Sequence, residues 1–280
     1  MQLSGPKLSM AAILLAAAGP PLLAQSGTPD APARYTYADL ADLAESADLV
    51  IRAQVRKLIR VEDERAPGLR KGWGRFYIKA RTTALVSGSR PVGEDIAYLV
   101  DLPLDYRGRP PALKREEVLL FARPVSGGFG EIQLVANDAQ IAYDEATEDV
   151  VRDILRELLA GDAPARVTGV RELIHVPGNL AGEGETQIFL DTADGSAASI
   201  TVSHQPGRRP AWGASFSELV ADVTNPPQRG TLAWYRLACF LPNNPPARAN
   251  LSGSPSSRNQ ALADYRMVLG ELGVCRRGRE

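Results

Sequence analysis

Cysteine and histidine are scarce in this chain, since its 280 residues include only two of each. Neither C-x-x-C nor H-E-x-x-H occurs, so the common metal-binding signatures are absent. G-x-S-x-G and the P-loop are missing as well, which removes the usual hydrolase and phosphate-binding signatures. We therefore expect no cofactor and no bound metal, and any catalysis would depend on a divergent site.

An excess of charge of one sign is also lacking. The chain has 32 Lys and Arg residues against 33 Asp and Glu residues, for a formal net charge of −1. No global field would draw such a protein to nucleic acid or to anionic lipid, so we expect no nucleic-acid partner. The basic residues are 27 Arg against 5 Lys, and alanine is abundant, which is typical of a GC-rich bacterial genome.

The N-terminal residues predict a signal peptide. Lys7 supplies a minimal basic region, and Leu8–Ala18 is a run of about 11 apolar residues, too short to span a bilayer. Ala24 offers a small residue for cleavage, so residues 1–24 would be removed; the alternative is an uncleaved N-terminal anchor. No later segment is long and apolar enough to span a membrane, so we expect a soluble mature protein that is periplasmic or secreted.

The densest apolar run after the N-terminus is Thr231–Pro242, which contains the first cysteine, Cys239. Its apolar residues recur with the spacing of one helix face, which favours a short buried helix over a strand. A second apolar stripe, Leu262–Leu272, predicts a helix that ends at Gly273 and delivers Cys275. Exported chains seldom keep two free thiols, so a Cys239–Cys275 disulfide is expected; two separately buried thiols are the alternative.

Residues 35–161 have the pattern of a small β-barrel with flanking helices. Thr36 and Asp39 form a capping-box sequence that predicts a helix over Tyr37–Ala47. A second helix is expected to begin at a Thr147 cap and to end at Gly161. Between them lie five or six apolar or alternating segments that predict strands. These segments are 48–61, 76–84, 96–102, 118–122, 132–135 and 139–143.

The same region resembles secreted OB-like barrels, including those of the netrin-like and tissue-inhibitor-of-metalloproteinase type. The resemblance rests on a helix, a long strand opening ADLVIRAQV, further strands with the run EEVLLFARPV, and a closing helix, and it covers Tyr35–Ala160. It implies an OB-like fold. Those inhibitors begin with a cysteine that reaches a metal, whereas the expected first residue here is Gln25 and the barrel has no cysteine. Metalloprotease inhibition is therefore not implied.

Residues 166–280 predict a second, β-rich domain that ends in two disulfide-linked helices, so the fold class is α+β. Strands are expected at 170–176, 185–191 and 197–204, with a hairpin turn at Asp194-Gly195. Trp212–Val223 fits neither a helix nor a strand clearly. Residues 242–257, rich in Pro, Asn and Ser, predict an exposed connection, and the division between the domains is expected near residues 161–166.

Basic and aromatic residues interleave over Leu69–Arg81, where an OB-like barrel could offer cations and stacking faces to a ligand. The alternative is that Phe76 points inward with Ile78 while the charges only solvate the outer face. The candidate ligand-binding residues are Arg70, Trp73, Arg75, Tyr77 and Lys79.

The two histidines, His175 and His204, each fall near the end of a predicted strand. With Asp191 between them, a two-His, one-carboxylate metal site can be drawn. The alternative is that both are half-exposed strand residues with local hydrogen bonds. Glu183 and Glu185 lie by a glycine-rich loop, which would not hold them at the fixed separation that glycosidase chemistry needs.

Taken together, these patterns favour an exported, non-catalytic module that binds a periplasmic protein or a glycan. The alternative is a secreted hydrolase with an unrecognised active site. An enzyme is the less expected outcome because the common catalytic signatures are absent.

We expect the exported protein to begin at Gln25, because cleavage after Ala24 follows the small-residue rule of signal peptidase. N-terminal sequencing of protein recovered from the periplasm would show this. A retained Met1 would instead indicate the uncleaved anchor.

Overall fold

The computed structural model describes residues 1–2, 35–128, 130–218 and 225–279. Within these residues the fold is α+β and rich in strands, as predicted. The predicted signal peptide and its cleavage site at Ala24 lie outside the described residues. Among the described helices, none has both the length and the apolarity needed to cross a bilayer.

The described strands form two sheets whose neighbouring strands pair antiparallel. The strands are β1 (Leu49–Arg60), β2 (Trp73–Gly88), β3 (Asp95–Pro103), β4 (Glu117–Pro124), β5 (Ile132–Leu134), β6 (Gln140–Ala142), β7 (Val167–Pro177), β8 (Gly184–Thr192), β9 (Ser199–His204) and β10 (Ala211–Ser215). The α-helices are α1 (Tyr37–Ser46), α2 (Glu145–Leu159), α3 (Leu232–Ala238) and α4 (Pro255–Leu272).

The first sheet has the order β3-β2-β1-β4-β5, with β6 pairing a second part of β4. Side chains of β2 alternate between a buried face, with Phe76 and Ile78, and an outer face, because successive residues of a strand point to opposite sides. The run Val118–Ala122 of β4 is buried throughout, as its continuous apolar sequence predicted.

This sheet does not close into a barrel, so the predicted OB-like barrel of residues 35–161 is not confirmed. Among the described residues, β3 and the chain around β5 form an isolated parallel bridge, Ala97–Glu131, rather than a ladder, and two backbone hydrogen bonds lie near it. The N–H of Ala97 donates to Gly130 O at 2.8 Å and that of Asp101 to Asn137 O at 2.7 Å. β5 has only three residues, and all three pair with β4.

The first two helices start at side-chain caps. The capping box of Thr36 and Asp39 is present at α1, as predicted. At α2 the predicted Thr147 cap is wrong: Asp144 is the N-cap, and its Oδ1 accepts from the N–H of Thr147 at 2.8 Å. An ionised Asp is as good an acceptor as Thr, and its position three residues earlier adds a turn to the helix. The helix ends at Leu159, before Gly161.

The second sheet is the meander β7-β8-β9-β10, and α4 lies against β7 and β8. The ambiguous segment Trp212–Val223 opens with a strand, β10. The predicted exposed connection 242–257 is partly wrong, because its later part packs on β7. There the N–H of Leu251 donates to Leu173 O at 2.9 Å, and Ser252 Oγ accepts from the N–H of His175 at 3.0 Å.

The C-terminal segment packs against the first helix. The predicted helix α3 forms with Thr231 as its N-cap, and the Cys239–Cys275 disulfide is present with the two Cα atoms 5.1 Å apart. After the disulfide, the N–H of Gly278 donates to Asp39 Oδ2 at 2.9 Å. Residues Arg34–Glu280 form one compact unit, and the domain division near residues 161–166 stays a prediction.

We expect Cys239→Ser with Cys275→Ser to lower the free energy of unfolding by about 3–4 kcal/mol, because the disulfide closes a long loop in the unfolded chain. Urea titration of the wild-type and double-serine proteins would measure the difference. Protease should then cut the released residues 275–279 and α4 first. Equal stability of the two proteins would mean that packing alone holds α4.

Candidate functional site

The predicted basic and aromatic residues share one face of β2. Trp73, Arg75, Tyr77 and Lys79 alternate with side chains that point into the core, so all four lie on the outer face. The inward direction of Phe76 and Ile78, which the alternative interpretation expected, is confirmed by exposures of 3% and 0%. Arg70 precedes the strand, and its guanidinium carbon lies 5.7 Å from the centre of the Trp73 ring.

Arg75 is not a free cation. It lies opposite Asp101 of β3, and the two side chains form a bidentate ion pair. Arg75 Nε donates to Oδ1 at 2.7 Å and Nη2 donates to Oδ2 at 2.9 Å. The hydrogen bonds to Asp101 raise the pKa of the guanidinium further above its ordinary value. The pair is a fixed polar group on the outer face, with its charge largely neutralised.

A cleft of about 400 Å³ lies beside this pair, where β3 and β5 fail to join. Ala97 and Asp101 both direct their N–H groups away from β2, so Leu99, midway between them, has the same direction. The Leu99 side chain is 50% exposed. The cleft therefore offers an exposed apolar side chain next to Tyr77 and an ion pair.

The two histidines meet at the second sheet, each on a different strand. His175 on β7 and His204 on β9 have ring centroids 5.9 Å apart, and a carboxylate from α4, Asp264, lies against both. The predicted third group, Asp191, is not part of this cluster, because it pairs with Gly169 several residues further along β7 and β8. Among the described residues, no three His, Cys, Asp or Glu side chains are arranged to hold a metal ion.

Asp264 organises the cluster. Its carboxylate accepts from His204 Nε2 at 2.9 Å, from Gln260 Nε2 at 2.9 Å and from the hydroxyl of Thr186. Since the single hydrogen of Thr186 goes to Asp264, its Oγ1 accepts from Nδ1 of His175, 2.8 Å away. This network assigns the proton of His175 to Nδ1 and leaves Nε2 as an acceptor.

The surroundings favour the neutral form of His175. Burial lowers the pKa of its imidazole below the ordinary value of 6.5; the Asp264 carboxylate opposes this effect and His204 reinforces it. The sequence interpretation missed Thr186 and Asp264. Asp264 had one signal, since a charged residue there lies on the apolar stripe of α4, between Ala261 and Val268.

Stability should fall on acidification because His175 is neutral in the fold. Because the pKa of His175 is lower in the folded state, the unfolded chain binds a proton at a higher pH than the folded protein does. The stability that neutral His175 contributes is therefore present above its ordinary pKa, and it is lost as the pH falls toward the pKa of the folded state. We expect wild type to lose more stability than His175→Asn between about pH 7.5 and about pH 5. Urea titrations over this range would measure it, and parallel curves would contradict it.

No protein-family model matches this chain, and no curated protein matches it. The cleft and the histidine cluster are therefore interpreted from their own geometry.

Proposed function

We propose that the protein is an exported, periplasmic binding module. The cleft between β3 and β5, called the outer cleft below, binds a glycan or a protein and has no catalytic activity. The observation that carries the proposal is the cleft of about 400 Å³ between β3 and β5. This volume falls within the usual range for small-ligand sites.

The cleft lies at an edge of β3 that has no regular strand partner among the described residues. The exposed Leu99 side chain forms part of its wall, and β3 forms no ladder with β5 in the part of the chain that the structure describes. An unpaired strand edge that remains accessible is a ready donor and acceptor for a ligand.

The polar groups of the cleft favour a glycan. Arg75 and Asp101 hold each other in place, so their remaining donor and acceptor positions are oriented before a ligand arrives. Gln133 and Asn137 add amide groups that both donate and accept, as sugar hydroxyls do. Tyr77 adds an aromatic ring, and Lys79 follows on the same face of β2. Because Asp101 neutralises the charge of Arg75, the cleft is less suited to binding the phosphate backbone of a nucleic acid.

An open OB-like barrel is the finer fold that we propose for the first sheet. The order β3-β2-β1-β4-β5 supports it, together with the single parallel bridge from Ala97 to Glu131. In that arrangement the cleft lies at the incomplete seam of the barrel. Export is supported by the Cys239–Cys275 disulfide, because such bonds persist in oxidising compartments.

We expect Tyr77→Ala to weaken oligosaccharide binding about tenfold through loss of the aromatic contact. Asp101→Asn should weaken it as well, because Arg75 loses the carboxylate that orients it. Tyr106→Ala is the matched control, since Tyr106 is 87% exposed and does not line the cleft.

Binding would be measured by calorimetry against a panel of neutral and anionic oligosaccharides. Single-stranded DNA and periplasmic proteins serve as the competing ligand classes. If Tyr77→Ala and Tyr106→Ala bind every ligand as wild type does, the cleft is not the binding site.

The alternative function, a secreted hydrolase, has one specific observation in its favour, which is the histidine cluster around Asp264.

A further inference from the structure

A second cavity lies next to the histidine cluster and is separate from the outer cleft. It has a volume of about 310 Å³ and is lined by residues that include His175, His204, Glu183, Ser256, Ser257 and Gln260. It lies between one end of the second sheet and the N-terminal end of α4. This cavity has no part in the binding function proposed above.

Gly184 lets the His175 ring pack closely against the backbone of β8. A Cβ atom at this position would lie 3.0 Å from Nε2 and 2.8 Å from Cε1 of His175. Gly184 also pairs directly with His204 on β9, so both imidazoles lie on the face of the sheet where Gly184 has no side chain. Both histidines line the cavity of about 310 Å³.

His175 has the attributes of an oriented base. It is nine-tenths buried, and among the described residues no group donates to its Nε2. On the other side of the ring, Nδ1–H is held by Thr186, which is held in turn by Asp264. A neutral imidazole fixed in one tautomer through a carboxylate is the arrangement that acid–base catalysis uses.

The N-terminus of α4 adds a hydrogen-bond donor. Pro255 has no N–H, and the N–H of Ser257 is taken by Ser254 Oγ at 3.1 Å. The N–H of Arg258 is taken by the Ser254 carbonyl at 2.9 Å. This leaves the N–H of Ser256 without a partner among the described residues, at the positive end of an 18-residue helix. Such a donor is suited to a developing oxyanion.

The charges around the cavity favour an uncharged substrate. No Lys or Arg is among its lining residues in the described part of the chain, which disfavours phosphate or sulfate esters. The one acidic lining residue, Glu183, accepts from the N–H groups of Asn179 and Leu180 at 3.1 Å each. The negative charge of Glu183 is therefore stabilised by the backbone N–H groups of its own loop.

We propose that this cavity is a hydrolytic site for uncharged carboxylic esters, with His175 as the general base. His175 Nε2 takes a proton from water while the water oxygen bonds to the ester carbonyl carbon. The N–H of Ser256 stabilises the resulting oxyanion. The carbon–alkoxy bond then breaks, and the imidazolium of His175 returns the proton to the departing alcohol, which leaves the carboxylic acid.

The test is turnover of 4-nitrophenyl acetate by the full chain with its disulfide intact. We expect saturable release of 4-nitrophenol and a loss of about 100-fold or more in kcat/KM for His175→Asn, which removes Nε2 but keeps a donor toward Thr186. In wild type, kcat/KM should fall with decreasing pH as Nε2 becomes protonated. Thr201→Val is the control, because it removes a buried hydroxyl of β9 whose only hydrogen-bond partner among the described residues is Gln187.

Thr186→Val tests the positioning role separately. It should lower kcat with a displaced pH profile, because His175 loses the group that fixes its tautomer. Turnover by wild type no faster than by His175→Asn would overturn the proposal.

Diethyl pyrocarbonate, which acylates neutral imidazole nitrogen, provides a measurement on wild type that does not depend on the folding of a variant. Loss of turnover should follow acylation of His175, located by peptide mass spectrometry. Full turnover after complete acylation of His175 would also overturn the proposal.

Discussion

The buried carboxylate of Asp264 is the constraint on which the second half of the molecule depends. Its exposure is 2%, and a charge this deeply buried is tolerated only when surrounding groups donate to it. The donors come from Thr186 on β8, from His204 on β9 and from Gln260 one turn earlier in α4. Because each donor has a fixed place in the sheet or helix, their shared acceptor sets both the position and the rotation of α4.

The position of α4 then determines where the rest of the chain can go. The helix ends at Gly273, and the disulfide holds Cys275 to Cys239 at the end of α3. From there the C-terminal segment reaches α1, where Asp42 accepts from Arg277 Nε at 2.6 Å. Asp42 also accepts from the hydroxyl of Tyr235 in α3. One polar network and one covalent bond thus connect the meander to the helix that precedes the first sheet.

Local sequence patterns predicted the structural features that depend only on residues close together in the chain. The capping box at Thr36, the alternation of β2 and the apolar stripe of α4 each act within a few residues, and each is present. The apolar pattern did not limit β5 to three residues, and it did not show that β3 and β5 form no ladder. The partners of Asp264 lie 60 and 78 residues away in sequence, so only the folded sheet brings them together.

The contact between the C-terminal segment and α1 sets an order on folding. Thr36 Oγ1 donates to the carbonyl of Arg276 at 2.8 Å, across a separation of 240 residues. During synthesis α1 emerges first, yet the groups that cover its acidic side emerge last. A chain with contacts this distant closes slowly, because a very long loop has to be ordered before they form. The acidic side of the first helix is therefore covered only when nearly the whole chain is present, whereas its apolar face can pack on α2 earlier.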